Sequence, residues 1–317
     1  MARVAGTIPQ ECWSLILAGG EGTRLLSLTR TIAGDERPKQ FCPVLGPETL
    51  LDQTRRRSAL VIPGDHTMVV VTRTHERFYA PLLADLPSGG VVAQPQNRGT
   101  APAILYGLLR LARMGPMDAV AILPSDHYVT DEEEFMAHVL AAFRAVSVRR
   151  ELVILLGIRP EGPDVEYGWI EPAEAILWQG SGPLYRVHRF WEKPSLALSR
   201  MLLARGCLWN SFVMVARVPA LLSLIRSATP DLYDSFDTVT PALNTQRESE
   251  AVRELYSRIP STNFSRQVLT TRPANLAVLP VSGVGWCDLG QPLRVLTTLA
   301  RAGIRPEWAQ PAAATPA

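Results

Sequence analysis

The sequence predicts an α/β protein whose mixed, mostly parallel sheet carries helices on both faces. Three observations predict it. Short apolar runs alternate with amphipathic helical patterns along the chain, the rhythm of strand–helix–strand units. Most of those runs are apolar at both parities, as strands covered on both faces are. Apolar residues make up 47% of the 317 positions and charged ones 20%, enough material for a large core.

The predicted strands are 13–17, 68–72, 90–93, 119–123, 152–156, 185–190, 211–216 and 276–280. The polar stretch 27–38 follows the first strand, holds Gly34 and Asp35, and is expected to be a mobile loop. Thr100 suits the N-cap of a helix running through Pro102 to Met114, since proline is tolerated in the first turn. A second helix, 131–149, opens on Asp131, Glu132, Glu133 and Glu134 and closes on Arg149 and Arg150, matching the helix dipole at each end. Its Phe135, Met136, Val139, Leu140, Phe143 and Val146 recur at three and four and form one buried stripe. A third, 246–259, buries Val252, Leu255, Tyr256 and Ile259. With no repeat and no break in composition, residues 1–300 read as one domain, and 301–317, rich in Ala and Pro from 306, as a disordered tail.

Composition excludes several classes. Lys plus Arg total 32 and Asp plus Glu 30, a net charge of +2, which speaks against nucleic-acid or polybasic membrane partners. No uncharged run reaches the roughly 18 residues of a membrane helix, and the apolar stretch 15–18 is too short for a secretory signal. Cys12, Cys42, Cys207 and Cys287 form no CxxC pair and read as free thiols of a reducing compartment, so a cytoplasmic protein is expected.

The chemistry begins at Leu17-Ala18-Gly19-Gly20-Glu21-Gly22-Thr23-Arg24, a glycine-rich turn leaving the end of the first strand, where open α/β sheets bind ligands. Its glycines let backbone N–H groups approach phosphate oxygens. It is not a P-loop, lacking Gly-Lys-Ser/Thr, and Leu25 stands where a dinucleotide fingerprint needs its third glycine. A turn with no ligand remains the plain alternative. Arg24 and Lys39 flank the stretch 27–38. One cation–anion pair at ~4 Å contributes about 4 kcal/mol at an effective dielectric near 20, so two such cations on a closing loop could neutralise a triphosphate. Solvated surface charge is the alternative, and it is the reading given to Arg55, Arg56 and Arg57.

Residues 17–25, followed by Pro38-Lys39-Gln40-Phe41, resemble the sugar-1-phosphate nucleotidyltransferases, in the form typical of the bacterial mannose-1-phosphate guanylyltransferases, or GDP-mannose pyrophosphorylases. Further matches come in the family's order: Arg98-Gly99-Thr100-Ala101-Pro102-Ala103, Leu123-Pro124-Ser125-Asp126-His127, Tyr167-Gly168-Trp169-Ile170, Trp191-Glu192-Lys193-Pro194, Trp209-Asn210-Ser211 and Gly285-Trp286-Cys287-Asp288-Leu289-Gly290. The resemblance covers about residues 13 to 299.

That resemblance implies a Rossmann-like, GT-A-like fold and a Mg²⁺-dependent enzyme. The implied reaction joins mannose 1-phosphate to GTP, giving GDP-mannose and pyrophosphate by in-line attack on the α-phosphorus. No covalent intermediate is needed, so catalysis would be positioning and charge stabilisation. By resemblance Arg24, Lys39, Asp126 and Asp288 are catalytic, and Asp126 and Asp288 hold the Mg²⁺, which suits hard oxygen ligands. Leu17, Ala18, Gly19, Gly20, Gly22, Thr23, Gln94, Arg98 and Thr100 would bind the nucleotide. Gly168, Glu192, Lys193 and Asn210 would bind the sugar phosphate. His127 reads as a structural histidine, and at least two of Trp169, Trp191 and Trp209 as core.

The chain also departs from the family's pattern. Ser27 replaces a proline, the spacer from Arg30 to Pro38 is long, Gly99 stands for Asn, and Asn263-Phe264-Ser265 stands for Ser-Ile-Asp. Gln94 replaces the glutamate common in guanylyltransferases, and an amide suits thymine or uracil as well as guanine. The alternatives are therefore the same chemistry with UTP or dTTP and glucose 1-phosphate, or a non-catalytic subunit that senses nucleotide sugars. A glycosyltransferase would need an Asp-x-Asp motif that Asp126-His127-Tyr128 does not supply. The short stretch after Gly290 leaves no room for the isomerase domain of bifunctional relatives, so a single activity is expected, in a possible homodimer.

Overall fold

The apolar runs of the sequence become the strands β1 (Cys12–Leu17), β2 (Thr67–Thr72), β3 (Val91–Gln94), β4 (Ala119–Pro124), β5 (Tyr128–Val129), β6 (Val153–Ile158), β7 (Gly168–Ala175), β8 (Tyr185–Glu192), β9 (Leu208–Arg217), β10 (Leu276–Val281) and β11 (Trp286–Cys287). The computed structural model describes residues 12–115, 117–178, 180 and 182–309. Nine strands form one sheet in the order β3-β2-β1-β4-β9-β6-β10-β8-β7, and β5 and β11 form a separate ribbon. β8 and β9 run against the other strands of the sheet, which is therefore mixed.

Helices cover both faces: α1 (Leu26–Ala33), α2 (Leu50–Ser58), α3 (Glu76–Tyr79), α4 (Thr100–Ala112), α5 (Glu132–Val148), α6 (Leu196–Ala204), α7 (Val218–Ala228), α8 (Pro230–Asp237), α9 (Glu248–Arg258) and α10 (Pro292–Ala302). The stripe of α5 packs with Ile16, Val69, Ile154 and Ala277 on one face. α4, α7 and α9 pack with Leu15, Val70, Val120 and Met214 on the other. Side chains alternate between faces along a strand, so apolar residues at both parities are what two such cores require. Asp131 caps α5 by accepting from the Glu134 N–H at 2.9 Å. Among the described residues no helix is long and apolar enough to cross a membrane.

Register sets up the site. Leu17, the last residue of β1, lies opposite Val70 in β2 and Pro124 in β4, while Gln94 lies opposite Thr72. The glycine-rich turn, Thr72, Gln94 and Asp126 therefore all follow or end strands at the same carboxyl edge of the sheet. β9, inserted antiparallel between β4 and β6, brings its opening residues, Asn210 included, to that edge.

Two expectations are corrected. Most of the stretch 27–38 is not a loop. It begins with α1, whose Leu28 and Ile32, with Leu25 before them, pack on a small third core containing Val44, Leu289, Val295 and Trp308, and Gly34 ends the helix at φ 77°. Glycine closes helices at no steric cost in that conformation. The tail expected from 301 is ordered through 309: α10 continues to Ala302, and the Trp308 indole donates to the Val44 carbonyl at 3.1 Å. Residues 310–317 lie outside the described residues.

Candidate active site

A cleft of ≈ 330 Å³ opens at the carboxyl edge, lined by Leu17, Gly19, Gly20, Gln40, Gln94, Asn97, Thr100, Asp126, His127, Phe212 and Asn263, among others. The glycine turn forms its floor and is held from behind. The buried Gln40 donates Nε2 to the carbonyls of Ala18 and Gly20 at 3.0 and 2.8 Å, and Thr72 donates Oγ1 to that of Gly19 at 2.9 Å. Ala18 is buried beneath the turn. Gly19 is glycine for space: a Cβ there would lie 2.7 Å from Gln94 Nε2. Gly22 begins the 3-10 turn Thr23–Leu25, on which Thr23 and Arg24 are exposed.

Gln94 is buried at the cleft wall and accepts from the Tyr256 hydroxyl through Oε1 at 3.1 Å. Its amide N–H groups are thereby left for the Gly19 side. Arg98 turns elsewhere, donating Nε to the Tyr256 carbonyl at 3.0 Å. Thr100 does not cap its own helix. Gly99 holds the cap position at φ 85°, where a Cβ would lie 2.5 Å from the Thr262 carbonyl, and Thr100 Oγ1 accepts from the Phe264 N–H at 2.8 Å. That contact ties the segment following α9 to the cleft, which is how Asn263 comes to line it.

Lys39 joins the two expected aspartates. Its ammonium is buried, donates to the carbonyls of Asp288 and Leu289 at 2.6 and 3.1 Å, and lies 3.2 Å from Asp126 Oδ2. A buried ammonium must satisfy three N–H donors, and three oxygens meet them. Lys39 is therefore an internal cation and not a free charge on a closing loop, as the sequence suggested. Asp126 faces the cleft with its side chain 28% exposed.

The carboxylate of Asp288 is turned the other way. Its Oδ1 accepts from Arg294 at 2.9 Å, Tyr167 OH at 3.2 Å and the Gly290 N–H at 3.0 Å. Burial would raise this carboxyl, but Lys39, His127 and Arg294 outweigh it and hold it below the usual carboxylate range. His127 packs edge-on against Trp286, and burial pulls it down to about 4, so it is neutral near pH 7.

The residues expected on the sugar side form a second cluster connected through Tyr167. Gly168 pairs with Glu192 across β7 and β8, and a Cβ on it would meet Phe190 at 2.8 Å. Burial raises Glu192 despite the nearby Lys193. Lys193 takes φ 46° just before Pro194, and Phe212 and Leu289 take φ 60° and 49°. Left-handed backbone at such residues costs of order 1–2 kcal/mol each, and strain of this kind gathers at functional sites. Asn210 is buried, its Oδ1 accepting from the Phe212 N–H at 3.1 Å. Trp169 and Trp209 are core, as expected, while the half-buried Trp191 indole donates to Glu171.

The acidic donors fit Mg²⁺ unequally. Among the described residues no three acidic, His or Cys side chains gather as a ligand group. Mg²⁺ commonly takes one or two carboxylates and completes its shell with phosphate and water. Asp126, open to the cleft, fits that pattern directly. Asp288 fits it less well: three donors occupy its Oδ1, it is not among the residues lining the cleft, and its carboxylate would have to turn toward Asp126 to share an ion. Sequence reasoning missed Arg294 and Glu166, which carried no local signal, read Tyr256 only as a buried helix residue, and gave no role to Gln40 and Tyr167, which it had quoted within matched segments.

Residues 13–300 match the nucleotidyl transferase family. The xanthan biosynthesis protein XanB of Xanthomonas campestris pv. campestris is 33% identical over 284 residues, 87% of this chain and 57% of its own length. The mannose-1-phosphate guanylyltransferase of Escherichia coli K12 is 29% identical over 289 residues, 88% of this chain and 58% of its own. The chain thus spans a little over half the length of these curated relatives. A solved structure described as a mannose-1-phosphate geranyltransferase from Thermus thermophilus superposes with a TM-score of 0.74 at 29% identity, covering 89% of this chain and 77% of that one.

Proposed function

The chain belongs to the nucleotidyl transferase family, and from that premise we propose that it condenses mannose 1-phosphate with GTP to give GDP-mannose and pyrophosphate. One observation carries the proposal: the glycine turn, the amide of Gln94 and the Asp126–Lys39 pair share one edge of the sheet and, but for the buried Lys39, one cleft. With its Oε1 taken by Tyr256, Gln94 offers N–H to a base carbonyl, which guanine has at its six position. The names of the relatives favour guanine and mannose over the pyrimidine and glucose alternatives.

In this reading the backbone of residues 19–23 meets the triphosphate. Glu192 and Asn210 hold the sugar hydroxyls, and Lys193 and Arg24 hold phosphate oxygens. The sugar phosphate's own oxygen is the nucleophile, and the chain's work is to align it behind the α-phosphorus. Lys39 is not placed to attack, because its three donors are directed at oxygens. Members of the family typically use Mg²⁺. Here it would be held by Asp126 and Asp288 and would supply positive charge against the leaving pyrophosphate. The cytoplasmic setting belongs to the same reading, in which Cys12, Cys42, Cys207 and Cys287 are the free thiols that a reducing compartment keeps.

The test is a matrix of nucleoside triphosphates against sugar 1-phosphates with Mg²⁺, scored by pyrophosphate release. GTP with mannose 1-phosphate should turn over fastest. Preference for a pyrimidine nucleotide would overturn the guanine assignment alone. Binding of GDP-mannose with no release from any pair would replace the enzyme by a sensor.

A further inference from the structure

Arg24 leaves the glycine turn and Lys193 follows β8, 169 positions later in a 317-residue chain. Both reach the same atom: Arg24 Nη1 lies 3.2 Å and Lys193 Nζ 3.4 Å from Glu166 Oε2. Two cations converging on one oxygen make the arrangement a phosphate would find, and here a carboxylate of the chain occupies it.

We propose that Glu166 is an internal substitute for a substrate phosphate, a latch that holds Arg24 and Lys193 together without ligand and must be displaced when polyphosphate or sugar phosphate binds. The inference rests on the reading of Arg24 and Lys193 as phosphate ligands given above. It adds that they share one anion subsite and that Glu166 competes for it.

The surroundings support a placed carboxylate and not a chance surface pair. The Glu166 N–H donates to Asp164 Oδ1 at 2.7 Å, and Asp164 is itself held by Arg294 at 2.7 Å. The next residue, Tyr167, reaches Asp288, and Gly168 after it opens β7 opposite Glu192. Glu166 therefore stands on the short segment that connects the aspartate cluster to the sugar-side cluster. On the other side, Lys193, whose backbone takes φ 46°, brings its ammonium to the same place.

The latch is suited to release. The side chains of Arg24, Lys193 and Glu166 are 54%, 47% and 34% exposed. Pairs so open to solvent contribute little to stability. A phosphate with two charges and more acceptor oxygens outcompetes a single carboxylate there. The carboxylate would weaken the binding of both substrates and their product pyrophosphate by similar factors while leaving the chemical step alone. Uniform binding of this kind moves KM and not kcat. Glu166 is thus a positioning residue that sets anion affinity.

The test is calorimetric titration of inorganic pyrophosphate into the full chain and its E166Q variant, with E161Q as control. Glu161 pairs with Arg301 at 2.6 Å, so E161Q removes the same charge without touching the subsite. E166Q should bind pyrophosphate about 5-fold more tightly at low salt, equivalent to ~1 kcal/mol, and E161Q as the parent does. In turnover, E166Q should lower KM for sugar 1-phosphate by a similar factor with kcat within about 2-fold. A thermal melt checks that E166Q folds, and E166S replaces it if it does not. Equal binding by all three proteins overturns the latch. Weaker binding by E166Q also overturns it, making Glu166 a structural holder of the cations. If neither parent nor variants bind pyrophosphate, the phosphate reading of Arg24 and Lys193 fails instead.

Discussion

Asp126→Asn should lower turnover by at least ~10²-fold, the usual scale for losing a charge-stabilising group at a reacting centre. Asp126 is the carboxylate that faces the cleft, and it lies 3.2 Å from the buried ammonium of Lys39. The amide keeps the shape but removes the negative charge that would hold a divalent cation against the phosphates. The two carbonyls on Lys39 remain, so the fold should survive with a loss of roughly 1–3 kcal/mol. Pyrophosphate release under saturating substrates, read beside thermal melts, separates the two effects. Near-normal release from a folded D126N protein would remove Asp126 from the reaction.

The largest expected effect on stability comes from Arg294. Its guanidinium bridges Asp164 at 2.7 Å and Asp288 at 2.9 Å and lies 4.3 Å from the ring centre of Tyr167. Arg294→Met leaves two half-buried carboxylates without their cation, and a loss of about 2–4 kcal/mol follows. Asp288 adds a pH signature. Opposing the rise that burial alone would cause, Lys39, His127 and Arg294 hold its carboxyl below the ordinary value in the folded state. A carboxyl so depressed contributes stability above its unfolded value, and that contribution is lost as pH falls through the folded value. Without Arg294 the folded value rises, so the acid limb of the stability curve should move to higher pH. Arg294→Lys restores a charge but not the two-pronged geometry, and should fall between. Denaturant midpoints from neutral to acid pH measure both; an unshifted acid limb would mean that Arg294 does not tune Asp288.

The glycine turn, the strand edges and helix α5 were legible because their signals are local: space at Gly19, two-faced apolar runs, a stripe at three and four. Direction is not local. Apolar parity cannot tell a strand from its reverse, so a mixed, mostly parallel sheet was legible but not that β8 and β9 are the strands running against the rest. α1 was hidden because Ser27, Thr29, Arg30 and Thr31 dominate its composition, while its apolar side meets partners 250 and more residues away, such as Val295 and Trp308. Lys39 read as a loop charge for the same reason, its acceptors lying beyond position 286 and at 126. Arg294 and Glu166 belong to no recognisable pattern. Their roles come from side chains that the fold brings together.

In the proposed reaction one direct displacement would join the substrates, at a site that positions them and lends no nucleophile of its own. Exchange of labelled pyrophosphate into GTP tests it most directly. Label should enter GTP only when GDP-mannose, or mannose 1-phosphate from which the protein can form it, is present. Incorporation with GTP and Mg²⁺ alone would reveal a nucleotidylated enzyme and contradict the account.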